Sequence, residues 1–245
     1  MKRIIYILAA LIIAACTEAE PLATVRIGIG GVQTGALTKA LADGVEAAIE
    51  ATRPSDDITL TLTSTSVSTR VFTAKPGQSV TVPVGEYKVA GKYTPQVVGD
   101  ATGNNIYKTP AYSVDDRITV TEGGGDYSVR ASYDCFALVL DKTTTAAYRH
   151  SQNQQMTDFA FFTTVGDIGI AYIGLDYLWG SINYRLVAVP KDYTGHEDTE
   201  YRLVAQDGFP GVKVEKGKWY SFAAGEVTTA SGSIGIEWPT WTEGN

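Results

Sequence analysis

Between residues 58 and 238 apolar and polar side chains alternate in short runs rich in Thr, Val, Ile, Tyr and Gly, and turn residues cut these runs every few positions. Period-two alternation puts every second side chain on one face of an extended chain, so such a run is stable only as a half-buried strand. Many short strands at this spacing specify an all-β body. Strands are expected over 25–29, 58–67, 69–74, 79–84, 86–93, 118–120 and 127–133. A second series starts at Phe136 and continues over 159–165, 169–175, 182–189, 201–205, 212–214, 218–223 and 233–238. Only the connection over 94–110 reads as a long loop. One stretch changes period: Leu37, Leu41, Val45 and Ile49 recur every four residues, which predicts a helix over about 36–52 with Thr34 as its N-cap and Pro54 at its end. The fold class is therefore mainly β: two tandem antiparallel β-sandwich modules, the first carrying the helix. Module boundaries fall at 25–133 and 134–245. Only Asp134 and Cys135 separate Tyr133 from Phe136, so the junction is stiff, and one large sandwich is the alternative.

The first residues carry a different signal. Lys2 and Arg3 precede an apolar segment over 4–15, which ends in Ile13-Ala14-Ala15-Cys16. A basic start, a short apolar core and small residues at its end are the parts of a secretory signal peptide. Twelve apolar residues are too few for a membrane span, which needs about 20. The aliphatic residue and two alanines before Cys16 resemble the lipobox of bacterial lipoproteins. That resemblance implies removal of residues 1–15, a diacylglyceryl group on Cys16, a tether over 16–24 and lipid anchoring in the outer membrane of a Gram-negative bacterium. Removing Lys2 and Arg3 leaves 18 basic against 27 acidic residues, a formal charge of −9. An acidic chain repels phosphate backbones, so nucleic acid is not an expected partner. With Cys16 lipidated, Cys135 has no partner for a disulfide, and within Tyr133-Asp134-Cys135-Phe136-Ala137-Leu138 it reads as a packed thiol.

Ser79-Val80-Thr81-Val82-Pro83-Val84-Gly85-Glu86-Tyr87-Lys88-Val89 has the form of a strand, a P-x-G-x-Y corner and a second strand. It resembles the turn of transthyretin-like sandwich modules, with Gly85 at the corner and Tyr87 and Val89 facing inward. Strand runs at 111–114, 118–121 and 127–133 then lead straight into 136–140. That succession behind a lipoprotein signal resembles the tandem β-sandwich surface lipoproteins of Bacteroidota, the fimbrillin-like group. The resemblance implies a non-catalytic adhesive, pilus-associated or glycan-associated role, and carries over no catalytic residue. It also implies protein partners by β-strand addition after an arginine-directed cut, with Arg26 and Arg70 as cut sites, 25–29 as the released strand or 233–238 as the donated one. Both strands pairing within their own module is the other expectation, because it leaves no edge open.

Motifs for catalysis fail on spacing. Gly28-Ile29-Gly30-Gly31-Val32-Gln33-Thr34-Gly35 has Gln33 where a dinucleotide loop needs glycine and Ala36 where a P-loop needs lysine. Gly195-His196-Glu197-Asp198-Thr199-Glu200 holds one imidazole and three carboxylates but matches neither a zinc nor a calcium motif. With two histidines, His150 and His196, and no G-x-S-x-G, nucleophilic chemistry has no support. No enzyme activity, cofactor or metal is expected. Aromatic residues are the remaining contact candidates. Tyr172 alternates inward with Ile170, whereas Trp179 beside Gly180 and Trp241 beyond Pro239 fall in turns and are the expected binding residues for a surface glycan or a protein.

Overall fold

The computed structural model describes residues 20–30, 39–55, 57–67, 69–101, 104–152, 155–160, 162–175, 184–191, 198–223 and 232–233. Strands β1 (Leu22–Gly30), β2 (Leu60–Ser64), β3 (Val71–Ala74), β4 (Ser79–Pro83), β5 (Gly85–Tyr93), β6 (Val97–Ala101), β7 (Asn104–Tyr107), β8 (Tyr112–Val120) and β9 (Gly125–Tyr133) form the first part, with helix α1 (Lys39–Ala51) after β1. The second part holds β10 (Cys135–Asp141), β11 (Thr145–Gln152), β12 (Gln155–Asp158), β13 (Thr163–Val165), β14 (Ile168–Gly174), β15 (Arg185–Pro190), β16 (Thr199–Val204), β17 (Val212–Lys213), β18 (Lys218–Ser221) and β19 (Gly232–Ser233). The described residues are mainly β with one helix, as the two periodicities indicate.

Three sheets stack in layers. The first runs β3-β2-β5-β8-β9-β1-β4, the central one β19-β18-β10-β14-β7-β6 with β13 beside β14, and the third β12-β11-β15-β16-β17. The central strands β10 and β14 pair over seven residues, from Cys135↔Gly174 to Asp141↔Ile168. Their side chains are buried on both faces. On one face Cys135, Ala137, Val139, Ile168, Ile170 and Tyr172 join the first core, which the first sheet and α1 complete. On the other, Phe136, Leu138, Leu140, Ala171 and Ile173 join the second core, closed by Tyr148, Leu186, Ala188, Tyr201 and Leu203 of the third sheet.

The first and second halves of the chain are interleaved rather than merely abutted. The stretch 94–110, read as a loop, contains β6 and β7, and β7 pairs β14 through Tyr107↔Tyr172 and Ile106↔Ile173. Asn104, Asn105, Gly99 and Asp100 have weak strand preference, but Ile106 and Tyr107 are buried, and that burial outweighs the preference of their neighbours. Strands β11 and β12 were also outside the expected set. A register shift between Thr145 and Ala147 breaks the alternation of β11, so Thr145, Tyr148 and His150 all face inward. Not every ladder is antiparallel: β1 with β9, β10 with β18 and β16 with β17 run parallel.

Helix α1 occupies 39–51 of the expected span and buries Val45, Ala48 and Ile49; Thr34 lies outside the described residues. Gly44 permits its approach to β14, since a Cβ there would stand 2.9 Å from Ile168 Cγ1. At its end, Thr52 Oγ1 lies 2.6 Å from the buried Tyr172 hydroxyl and donates to Ala48 O or Ile49 O. The P-x-G-x-Y corner forms as expected: Gly85 has φ +149°, Tyr87 and Val89 are buried, and the Tyr87 hydroxyl donates to Pro83 O at 2.8 Å.

A single carboxylate marks the place where the first sheet folds over. Strand β9 pairs β8 at Ala131–Tyr133 but pairs β1 over Gly125–Arg130. Where β8 and β9 part, Asp116 accepts hydrogen bonds from Arg117 N at 2.8 Å and Arg130 N at 3.0 Å, standing in for the lost ladder carbonyls. Those two N–H groups hold its carboxyl below the ordinary aspartate range. The folded state thus favours the ionised form. This contribution is complete above the unfolded-state pKa and disappears as pH falls through the lowered folded-state value. Asp116→Ala is expected to lower unfolding free energy by roughly 1–2 kcal/mol at neutral pH in urea titrations. The difference from wild type should shrink once the pH drops below the normal aspartate range, and a gap that stays constant with pH would contradict this role.

Candidate functional site

The expected site residues Cys16, Trp179 and Trp241 lie outside the described residues, as do His196 and Trp238. What the described residues supply is the setting around them. Cys135 is fully buried, with Sγ 3.6 Å from Ala111 O, and burial pushes its thiol up to about 12. A thiol so reluctant to ionise is a packing group, not a nucleophile. His150 is buried against Phe159, ring centroids 5.0 Å apart. Among the described residues no group of three or more His, Cys, Asp or Glu is placed to hold a metal ion.

The aromatic side chains are mostly inside. Tyr172, Tyr184, Trp219 and Tyr220 all fill cores, whereas Tyr177, Trp179, Trp238 and Trp241 lie outside the described residues. Several tyrosines instead fasten irregular backbone. The Tyr148 hydroxyl accepts from Phe222 N at 2.8 Å and lies 2.8 Å from both Val139 O and Phe222 O, between which its one proton is shared. Thr145 Oγ1 also reaches Phe222 O at 3.3 Å, and the Tyr201 hydroxyl donates to Ala223 O at 2.5 Å. The chain leaving β18 is therefore fixed by hydroxyls of the third sheet. Burial raises the pKa of Tyr148, Tyr172 and Tyr184 above the normal phenol range, so they stay neutral at any physiological pH.

Charged residues lie outside and pair across strands. On the third sheet Arg149 meets Asp158 at 3.1 Å and Asp198 at 3.3 Å, and Arg185 pairs with Glu200. These exposed pairs favour register more than stability.

Strand β1 is flanked on both sides, by β4 through Leu22↔Pro83 to Arg26↔Ser79 and by β9 through Val25↔Gly125 to Gly30↔Arg130. Arg26, one of the two expected cut sites, sits inside this ladder with its guanidinium on both carboxylate oxygens of Asp126, at 2.9 and 2.6 Å. Just before β1, Pro21 O accepts from Val84 N at 2.9 Å and Glu20 pairs with Arg70, the other expected cut site. Arg70 N in turn donates to Val67 O at 2.9 Å. At the other terminus, Gly232 and Ser233 pair with Trp219 and Lys218 at the edge of the central sheet.

No protein-family model matches the chain, and no curated protein matches it. Among solved structures it is similar to a provisionally assigned cell adhesion protein of Bacteroides eggerthii, at 12% identity and TM-score 0.42 over 91% of this chain and 93% of that one. A fimbrial assembly protein of Parabacteroides distasonis is matched at 10% identity and TM-score 0.39, over 83% and 90%. A provisionally assigned polysaccharide-binding protein of Bacteroides thetaiotaomicron is matched at 10% identity and TM-score 0.33, over 70% and 77%. None of these similarities assigns a role to a residue of this chain.

Tyr148→Phe removes the partner of three buried backbone groups at once while keeping the ring. It is expected to cost about 1–3 kcal/mol and to raise hydrogen exchange at Phe222 ahead of exchange in β10. Equal protection at both places in the variant would show that Tyr148 does not hold this segment.

Proposed function

We propose that this chain is a lipid-anchored surface protein of a Gram-negative envelope with a non-catalytic adhesive role, a fimbrillin-like accessory subunit that keeps its lipid. The observation that carries this reading is the seating of β1. The strand begins six residues after Cys16 and is paired on both flanks, with Arg26 locked in the ladder. Removing it would strip β4 of its hydrogen-bonded neighbour and open the first core at Val25, Ile27 and Ile29. A lipid on Cys16 is thus joined to a structural strand rather than to a dispensable leader.

Partners would be met by strand addition, which uses only backbone donors and acceptors along an open sheet edge. Residues 233–245 are the proposed donated segment, since Ser233 already lies at an edge of the central sheet. Two measurements test this reading. Metabolic palmitate should label the wild-type chain and not Cys16→Ala, with the variant lost from the membrane fraction. Wild type should form multimers that survive SDS, and deletion of 233–245 should abolish them while leaving lipid labelling intact. A lipidated protein that is strictly monomeric at all concentrations would defeat the accessory-subunit role.

A further inference from the structure

The described body limits where a lipid on Cys16 could lie. Cys16 and Glu20 are four residues apart, and four residues span at most ~14 Å when fully extended. Glu20 is not free to wander from the body, because it is paired with Arg70 and the next residue is bound through its carbonyl to Val84 N. Any lipid on Cys16 is therefore held within ~14 Å of the place where β1, the β2–β3 loop and the β4–β5 corner come together.

That place carries three of the six large apolar side chains exposed on the described surface. Leu22 is 63% exposed, Val71 51% and Val67 38%. Each is tied to the Glu20–Arg70 pair through the chain or a hydrogen bond. Leu22 follows Glu20 by two residues, Val71 follows Arg70 by one, and Val67 O accepts the Arg70 N–H. The charges among them, Glu20 and Arg70, neutralise one another by pairing. Glu86 borders the loop through its carbonyl, which accepts from Thr65 N at 3.0 Å, so the patch as a whole is suited to a zwitterionic surface rather than to an anionic one.

From this we infer that Leu22, Val67 and Val71 form a membrane-contact patch. They rest at the level of zwitterionic lipid headgroups and orient the body with this end of the first sheet down and the third sheet outward. Side chains of this size at the interface add apolar burial to that of the acyl chains, and a contact at a second point converts a swivelling tether into a fixed orientation. The inference rests on lipidation of Cys16, as proposed above, and adds an orientation that lipidation alone does not require.

The test uses the full mature lipoprotein in phosphatidylcholine vesicles containing a lipid with a nitroxide on its headgroup. Single cysteines for a thiol-reactive fluorophore are placed at Val71→Cys, at Val67→Cys as a second, loop position, and at Phe209→Cys on the third sheet's side, another exposed site. The buried thiol of Cys135 and the acylated Cys16 leave the introduced cysteine as the reactive one. Co-flotation with the vesicles is scored first. The expected result is flotation with several-fold greater nitroxide quenching at 67 and 71 than at 209. Flotation with equal, low quenching at all three sites would overturn the orientation while leaving the lipid anchor intact. A protein that fails to float and carries no acyl mass overturns both. Quenching at 67 and 71 that vanishes with protein dilution at constant lipid would mean the patch meets a second copy of the chain, and would overturn the membrane contact.

Discussion

The structure depends on two strands that have no solvent face. Strands β10 and β14 are covered on one side by the first sheet with α1 and on the other by the third sheet, so every side chain from Cys135 to Val139 and from Ile168 to Ile173 is enclosed. A sheet buried on both faces must be apolar throughout, and its backbone must be fully paired along its length. Those two requirements tie the layers to one another. The first core cannot be assembled without the face of β10 that carries Ala137 and Val139, and the second cannot be assembled without the opposite face carrying Phe136 and Leu138. The insertion of β7 beside β14 strengthens the tie, because residues from the first half of the chain complete a sheet of the second.

Around this slab, tyrosine is the main device for irregular backbone. Its ring fills core volume while its hydroxyl reaches a carbonyl that no strand can serve, as Tyr87 does for Pro83, Tyr112 for Ser55, Tyr148 for Val139 and Phe222, and Tyr201 for Ala223. These four of the fourteen tyrosines are thereby accounted for by chain fastening. Asp116 performs a related task with a carboxylate, holding two amides at the point where β9 changes partners.

Much of this was legible in the residues. The tyrosine corner at 83–87, the helix from its four-residue repeat, the inward turn of Tyr172 and the packed state of Cys135 follow from local spacing, and local spacing is what the backbone obeys there. The strands β6, β7, β11 and β12 were not legible, since their local composition is that of turns and broken alternation. One overlooked signal was available. Cys135-Phe136-Ala137-Leu138-Val139-Leu140 is apolar without alternation, and an unbroken apolar run of strand length marks a strand covered on both faces. Such a run marks the strand whose two faces join the first and second cores. The residues of the expected contact sites, Cys16, Trp179 and Trp241, were singled out by flanking sequence alone and lie outside the described residues.

Local order along the chain was enough to specify mostly extended backbone, the helix over 39–51 and the corner at Gly85, because each depends on neighbours a few residues apart. Which strands are neighbours, that two cores share one central sheet, and that Glu20 meets Arg70 came from long-range pairing. That pairing is decided by which apolar faces bury one another best, and residues 50 to 100 positions apart leave no mark of their partnership in the spacing of either one.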